Sequence, residues 1–295
     1  MAEVGTRRRA GSAVYAGAAI AMVAFAANSL LTRGALDDRS IGAGTFSLVR
    51  LVSGAVVLVA IARLRAGTWS PLLAGPVPWR SAAYLFGYVA AFSFAYLRLG
   101  AATGALVLFG TVQVVLYGVA LRRGERPGLS GWTGLVLAFA GLVALVAPGV
   151  SAPDAVGVAL MVLAGVSWAA YTLAGRGSVD PILTSARNFA VSVPLAVVLE
   201  LVAVVGGEGV HATPRGLGLA VLSGAVASGL GYALWYSVLP WLTRVQSGIL
   251  QMAPTPLAAV GGLLLLGEPI GLRVVLASLL ILTGVAVGVI GAARR

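Results

Sequence analysis

The chain is 295 residues long, 59% hydrophobic and only 10% charged, with a mean hydropathy of +0.99. Soluble domains carry about 25% charge, so water is excluded as the solvent for most of this chain. Its formal charge of +11 rests on arginine without lysine, and the lack of cysteine with a single histidine, His211, excludes disulfides, thiolate sites and multi-histidine metal centres.

A membrane-spanning helix needs about 20 predominantly apolar residues, and ten segments are predicted to meet that need. A basic N-terminus, 1–12, precedes a first span over 13–32 that carries Asn28 and closes on "SLLTRG". This opening resembles a secretory leader, but its apolar run continues to about Leu31 without a cleavage site, so a retained span is expected. The second span, 42–62, has Arg50 near its start; like Arg187 it could receive a substrate carboxylate, but snorkelling to headgroups is the expected role. The third, 79–98, places Tyr84, Tyr88 and Phe92 at i, i+4 and i+8, hence on one helix face, with Tyr96 extending the stripe. The fourth, 101–121, carries Gly110 and Gln113 and ends in the corner "GERPG", with Gly124, Glu125 and Pro127; the fifth covers 130–148.

The sixth span, 154–174, holds Trp168 and Tyr171, and the seventh, 182–204, holds Asn188 and Glu200. Tyr232, Trp235 and Tyr236 fall in the eighth, 215–238. The ninth, 244–266, contains "QMAPTPL", where Pro254 and Pro256 each remove an amide donor and break the helix near its middle, beside Gln251. It ends in a second corner, "GEPIG", with Gly267, Glu268 and Pro269, before a tenth span over 270–291 and a basic tail, 292–295.

With both termini in the cytoplasm, 14 arginines fall on the inner side and 6 on the outer, the bias that sets membrane orientation. Arginines that punctuate apolar runs in this way speak against nucleic acid as a partner.

The two halves echo each other. "SLLTRG" and "TLAGRG" lie 143 residues apart, "GYVAAFS" and "GYALWYS" 144, Gly104 and Gly248 144, and Gly141 and Gly284 143. An ordered set of matches predicts two five-helix repeats, 13–149 and 150–291. Five is odd, so equivalent spans would cross in opposite directions, the inverted-repeat plan of secondary transporters. The expected fold is all-α and integral to the cytoplasmic (inner) membrane.

On the ten spans, the inverted halves, the paired "GERPG" and "GEPIG" corners and the "RG" ends of spans one and six, the chain resembles the drug/metabolite transporter superfamily. Within it, the ten-helix members built from two EamA repeats match best, and the YddG-type amino acid exporters in overall look. The resemblance implies a carrier of small polar metabolites, with amino acids as the first class and sugar nucleotides or phosphometabolites as the alternative. One departure stands out: Arg126 separates Glu from Pro in the first corner.

Polar and aromatic groups at mid-membrane are the expected substrate contacts. Tyr88, Trp168, Asn28, Tyr84, Phe92, Tyr171, Tyr232, Trp235, Gln113 and Gln251 form that set, with Pro254, Pro256 and Gly110 as helix breaks. Each has an ordinary reading beside it: tyrosine and tryptophan favour membrane interfaces, and a proline kink can be satisfied by its neighbours. Asn188 is expected to hydrogen-bond between helices. Gly124, Glu125, Gly267 and Glu268 read as corners, each Glu placed at the start of the next span by its dipole. The predicted midplane holds no arginine, which points to a zwitterionic or weakly charged solute. It also holds no paired acids and no nucleophile–base set, so an enzyme is not expected, nor is a metal, a cofactor or a dedicated proton-binding carboxylate.

Overall fold

A computed structural model describes residues 11–124, 128–146, 153–207, 210–268 and 272–293, which are almost wholly helical. In chain order the helices are α1 (Ser12–Leu36), α2 (Ala43–Ala66), a single turn α3 (Ser70–Leu73), α4 (Trp79–Tyr96), α5 (Ala101–Arg122), α6 (Leu129–Val146), α7 (Ala155–Gly175) and α8 (Pro181–Val205). There follow α9 (Pro214–Val221), a π-helical stretch Leu222–Leu230, α10 (Gly231–Val238), a 3-10 turn Leu239–Trp241, α11 (Arg244–Leu250), α12 (Pro254–Leu266) and α13 (Leu272–Ala293).

Seven described helical segments are long and apolar enough to cross a membrane, and shorter apolar stretches lie at 129–141 and 275–284. The distribution of polarity is inverted relative to a soluble protein. Leu264 and Leu265 are each 73% exposed, whereas Arg50, Ser93, Thr172 and Thr255 are fully buried. Such a surface suits acyl chains, and the polar groups are kept for the interior.

The eighth predicted span is not one α-helix. Between α9 and α10 the backbone widens into the π stretch, which packs against α1 and α2. π-helical turns are rare and concentrate at functional sites. The ninth span is two helices: α11 ends at Leu250, residues 251–253 turn, and Pro254 opens α12, where a missing amide costs no helical bond. Thr243 and Gln246 form a reciprocal capping box at the start of α11. By contrast α5 runs unbroken through Gly110, so the expected break there is corrected: a lone glycine keeps its amide and the helix its bonds.

Contacts recur in exchanged pairs. α4 packs on α7 as α10 does on α1, and α5 packs on α7 as α12 does on α1. α6 packs along α13, and its glycines are the closest approach. A Cβ on Gly141 would lie 2.7 Å from the Ala277 carbonyl oxygen, and one on Gly284 would lie 2.6 Å from that of Gly134. Gly134 and Ala277 are themselves 143 residues apart, as Gly141 and Gly284 are. Reciprocal contacts of this kind belong to a two-fold relation.

The corners are also reworked. Gly124 (φ 75°) and Gly267 (φ 68°) both take the left-handed conformation that ends a helix. Past Gly267, the Glu268 carboxylate reaches across to another helix. Both its oxygens lie 3.2 Å from the Ala101 amide at the start of α5, and Oε1 lies 3.4 Å from Arg33 Nε. The Glu268 N–H bonds back to Gly262, which turns the side chain across to the neighbouring helix, whose first amides lack partners. Arg33 also donates to the Tyr96 carbonyl at 3.2 Å and pairs with Asp37 at 2.5 Å. Glu125, Pro127 and Pro269 lie outside the described residues.

A short clasp ties the α1–α2 link to the segment before α9. Thr213 N donates to Ser40 O, Gly42 N to His211 O, and Asp38 pairs with Arg215. Hydrogen bonds from Ser40 hold the Asp38 carboxyl below its usual range, with the Arg215 charge adding to them.

Candidate functional site

Helices α1, α2, α4, α7 and the π–α10 segment converge on a buried cluster whose centre is Arg50. Seven residues beyond Ala43, it sits about 10 Å along α2. Its side chain is fully buried, which corrects the expectation that it reaches to headgroups. The reason is local: aromatic rings and hydroxyls from α4 and the π–α10 segment surround it. Arg50 Nε donates to Ser228 Oγ at 2.9 Å, and Nη2 donates to the Tyr232 hydroxyl at 2.7 Å and the Tyr88 hydroxyl at 3.2 Å. Its guanidinium carbon lies 5.1 Å from the Phe92 ring centre and 5.3 Å from that of Tyr88. Nη1 has no hydrogen-bond partner.

Asn28 completes the polar half. Its amide donates to Tyr232 at 3.3 Å and its carbonyl accepts from Ser223 at 2.8 Å and Ser228 at 3.2 Å. Both serines belong to the π stretch, so the widened helix supplies the hydroxyls that fix Asn28 and Arg50. Tyr232 in turn donates to Tyr88 at 3.3 Å.

The other half is a wall of rings. Trp168 lies 4.7 Å from Tyr232, 5.0 Å from Tyr88, 5.1 Å from Phe25 and 5.7 Å from Tyr171, centre to centre. Phe25 also touches Trp235 at 5.8 Å. The Trp168 indole donates to Gln251 Oε1 at 2.6 Å, so the wall is joined to the break between α11 and α12.

The structure thus brings together Asn28, Tyr88, Phe92, Trp168, Tyr171, Tyr232, Trp235 and Gln251. Pro254 and Pro256 lie just beyond Gln251, buried in the first turn of α12. Tyr84 is only half-buried at the edge of the core. Gln113 is buried elsewhere, on α5, where its oxygen would lie 2.3 Å from a Cβ on Gly248 of α11. It borders a largely apolar groove of about 770 Å³ whose other walls include Tyr117, Trp132 and Phe139. That groove shares no residue with the Arg50 cluster, and its exposed apolar walls suit a lipid chain better than a polar solute. Asn188 of α8 is buried facing the Tyr171 hydroxyl of α7.

Sequence reasoning missed Ser223, Ser228 and Phe25, and set Arg50 second as a carboxylate receptor behind snorkelling. Arg50 falls inside the second predicted span rather than beyond its end, and that depth was the available clue. A described carboxylate is nowhere within ion-pair distance of it: the salt bridges of the described residues engage Arg33, Arg65, Arg98 and Arg215. Among the described residues, the cluster therefore buries a cation without a counter-charge. No described group of three acids or histidines suits a metal ion.

The sequence profile of the EamA-like transporter family matches residues 155–290. An uncharacterized protein of Pseudomonas aeruginosa is 49% identical over 90% of this chain and 91% of its own length. The uncharacterized transporter YwfM of Bacillus subtilis is 28% identical over 76% of each chain. An uncharacterized transporter of Archaeoglobus fulgidus is 29% identical over 64% of this chain and 67% of its own. One solved crystal structure superposes with a TM-score of 0.71 at 22% identity, over 92% of this chain and 98% of the other, a likeness of fold alone.

Proposed function

We propose that the chain is a multi-pass membrane transporter of the EamA-like family, whose profile matches residues 155–290, and that it moves small polar metabolites, amino acids first, across the inner membrane by alternating access. The supporting observation is the buried Arg50–Tyr88–Tyr232–Asn28 network against an aromatic wall, at the meeting point of helices from both halves of the chain. Ten spans in two inverted five-helix repeats, with both termini cytoplasmic, supply the two alternative arrangements such a site needs. The exchanged helix contacts and the reciprocal Gly141 and Gly284 approaches support that division.

A sugar-nucleotide or phosphometabolite carrier is the second reading, because Arg50 puts positive charge in a site expected to have none. A diphosphate would be matched by several cations, and Arg50 is the only arginine among the fully buried described residues. The amino acid reading therefore stands first. Export is the direction that the resemblance implies.

Purified protein in liposomes preloaded with unlabelled amino acid and given the labelled one tests this directly. A carrier shows saturable uptake stimulated by the internal load. Flux that rises linearly with concentration, indifferent to the load, would overturn it in favour of a channel.

A further inference from the structure

We propose that Arg50 is the receptor for the carboxylate of the transported solute, and that this carboxylate, not an ammonium group, is the obligatory handle. The inference rests on the carrier reading above and adds the chemistry of recognition to it.

An arginine side chain stays protonated in proteins, so this guanidinium carries its charge into the interior. Isolated buried charge is strongly unfavourable unless it is paired and hydrogen-bonded. Here three donors of one guanidinium face neutral oxygens only, from Ser228, Tyr88 and Tyr232. The third nitrogen, Nη1, is buried and has no partner at all. Tyrosine hydroxyls and π faces soften the cost of the cation without cancelling it. What the site lacks is an anion.

The missing group has a definable chemistry. A planar carboxylate matches the guanidinium fork, with short charge-assisted bonds that neutral oxygens do not provide. One fully buried arginine balances one negative charge, which favours a monoanion over a phosphate ester. The rings of Phe92, Tyr88 and Trp168 then leave an apolar or aromatic body beside the carboxylate. For the ammonium of an amino acid no described carboxylate stands ready. It would meet ring faces or the Gln251 and Asn28 carbonyls, which are already engaged by Trp168 and by the two serines. The amino group is therefore tolerated and the carboxylate is required.

The test uses the full-length protein and reads binding separately from flux. Quenching of tryptophan fluorescence is titrated with L-phenylalanine, 3-phenylpropionate, L-leucine, 4-methylpentanoate, 2-phenylethylamine, phenylalanine amide and phenyl phosphate. The carboxylates are expected to saturate, with 3-phenylpropionate at least as tight as phenylalanine and the amine and amide at least about tenfold weaker. Arg50→Gln should weaken 3-phenylpropionate by at least about tenfold, and Arg50→Lys by less. Should Arg50→Gln fail to fold, the ligand series on the unmodified protein decides alone.

Equal binding of amine and carboxylate, tighter binding of phenyl phosphate, no carboxylate binding at millimolar concentration, or full affinity in folded Arg50→Gln would each overturn the proposal. Counter-flow of labelled amino acids in the same preparation reports on the carrier reading independently. Its survival beside any of those results would remove the Arg50 assignment and leave the transporter standing.

Discussion

The hydroxyls of Tyr88 and Tyr232, 144 residues apart in the chain, meet at 3.3 Å beneath the guanidinium of Arg50. They occupy matching places in "GYVAAFS" and "GYALWYS". In the proposed two-repeat plan, equivalent residues touch each other only near the axis that relates the repeats, and a site on that axis would be reached from either side by the same rearrangement run in opposite senses.

Tyr232→Phe keeps the ring and deletes the hydroxyl that accepts from Arg50 at 2.7 Å and from Asn28 at 3.3 Å. A hydrogen bond to a charged group is worth about 1.5–3 kcal/mol. The variant should fold, elute as the unmodified protein does and lose about tenfold or more in counter-flow rate at subsaturating solute. Unchanged flux would remove Tyr232 from the transport site.

Trp168 connects the ring wall to the helix break through its 2.6 Å bond to Gln251. Trp168→Ala and Tyr88→Ala should cut flux strongly while leaving folded protein to purify. Truncating such buried rings costs about 3–5 kcal/mol of stability, so Tyr88→Phe, which removes only the hydroxyl, and Trp168→Phe, which keeps a ring, serve as milder companions. Flux reduced about fivefold in each Phe variant, with unchanged thermal unfolding in detergent, is the expected result.

Glu268 joins Arg33 to the first amide of α5, and so links α1, α5 and the end of α12 on one side of the molecule. Glu268→Gln retains the shape and removes the charge. It should favour opening on that side. The chain has no native cysteine, so one introduced near the cluster, as Ser93→Cys, reports cleanly: maleimide labelling in sealed vesicles should speed up from the Glu268 face alone. Equal labelling rates in both backgrounds would leave Glu268 a corner and nothing more.

Proton coupling is not expected. Among the described residues, Glu200 is the acid that lies within a long apolar helix, and it accepts from Thr45 Oγ1 at 2.7 Å near the end of α8. Flux in liposomes should continue without a pH gradient, and Glu200→Gln should transport. A strict need for the gradient, abolished by that substitution, would sink the expectation.

Gly141→Leu or Gly284→Leu places side-chain atoms where backbone of the opposing helix already lies, at 2.7 and 2.6 Å. Overpacking costs about 1–3 kcal/mol, and backbone offers little room to yield. Both variants should lower the thermal unfolding midpoint by similar amounts, because each meets the same contact from the other side. A large effect at one and none at the other would break the reciprocity.

Much of the architecture was legible in the sequence because lipid imposes a crude rule: apolar runs of spanning length, with glycine, proline and arginine between them. The rings of the candidate site were legible as a group too, since Tyr88 and Trp168 fall nearer the middle of their spans than interface anchors do. Arg50 was legible only in part: an arginine nine residues into a predicted span reads as a carboxylate receptor or as a snorkelling residue, and the partners that bury it, Ser228 and Tyr232, lie 178 and 182 residues away. Glu268 misled for a related reason: its local setting predicts service to its own next helix, whereas the amide it bonds is 167 residues upstream. Helix-long patterns come through in one sequence, and contacts between distant helices do not.

The π stretch Leu222–Leu230 has a consequence for how Tyr232 is aimed. A π turn amounts to one surplus residue carried within a helix. Each residue rotates an α-helix by roughly 100°. Rewinding this stretch as regular α-helix with its length unchanged would swing Tyr232 and Trp235 around the axis, out of reach of Arg50. The phase of the helix, not only the identity of its side chains, is therefore part of the site, and a change of winding would erase it with every named contact residue still present.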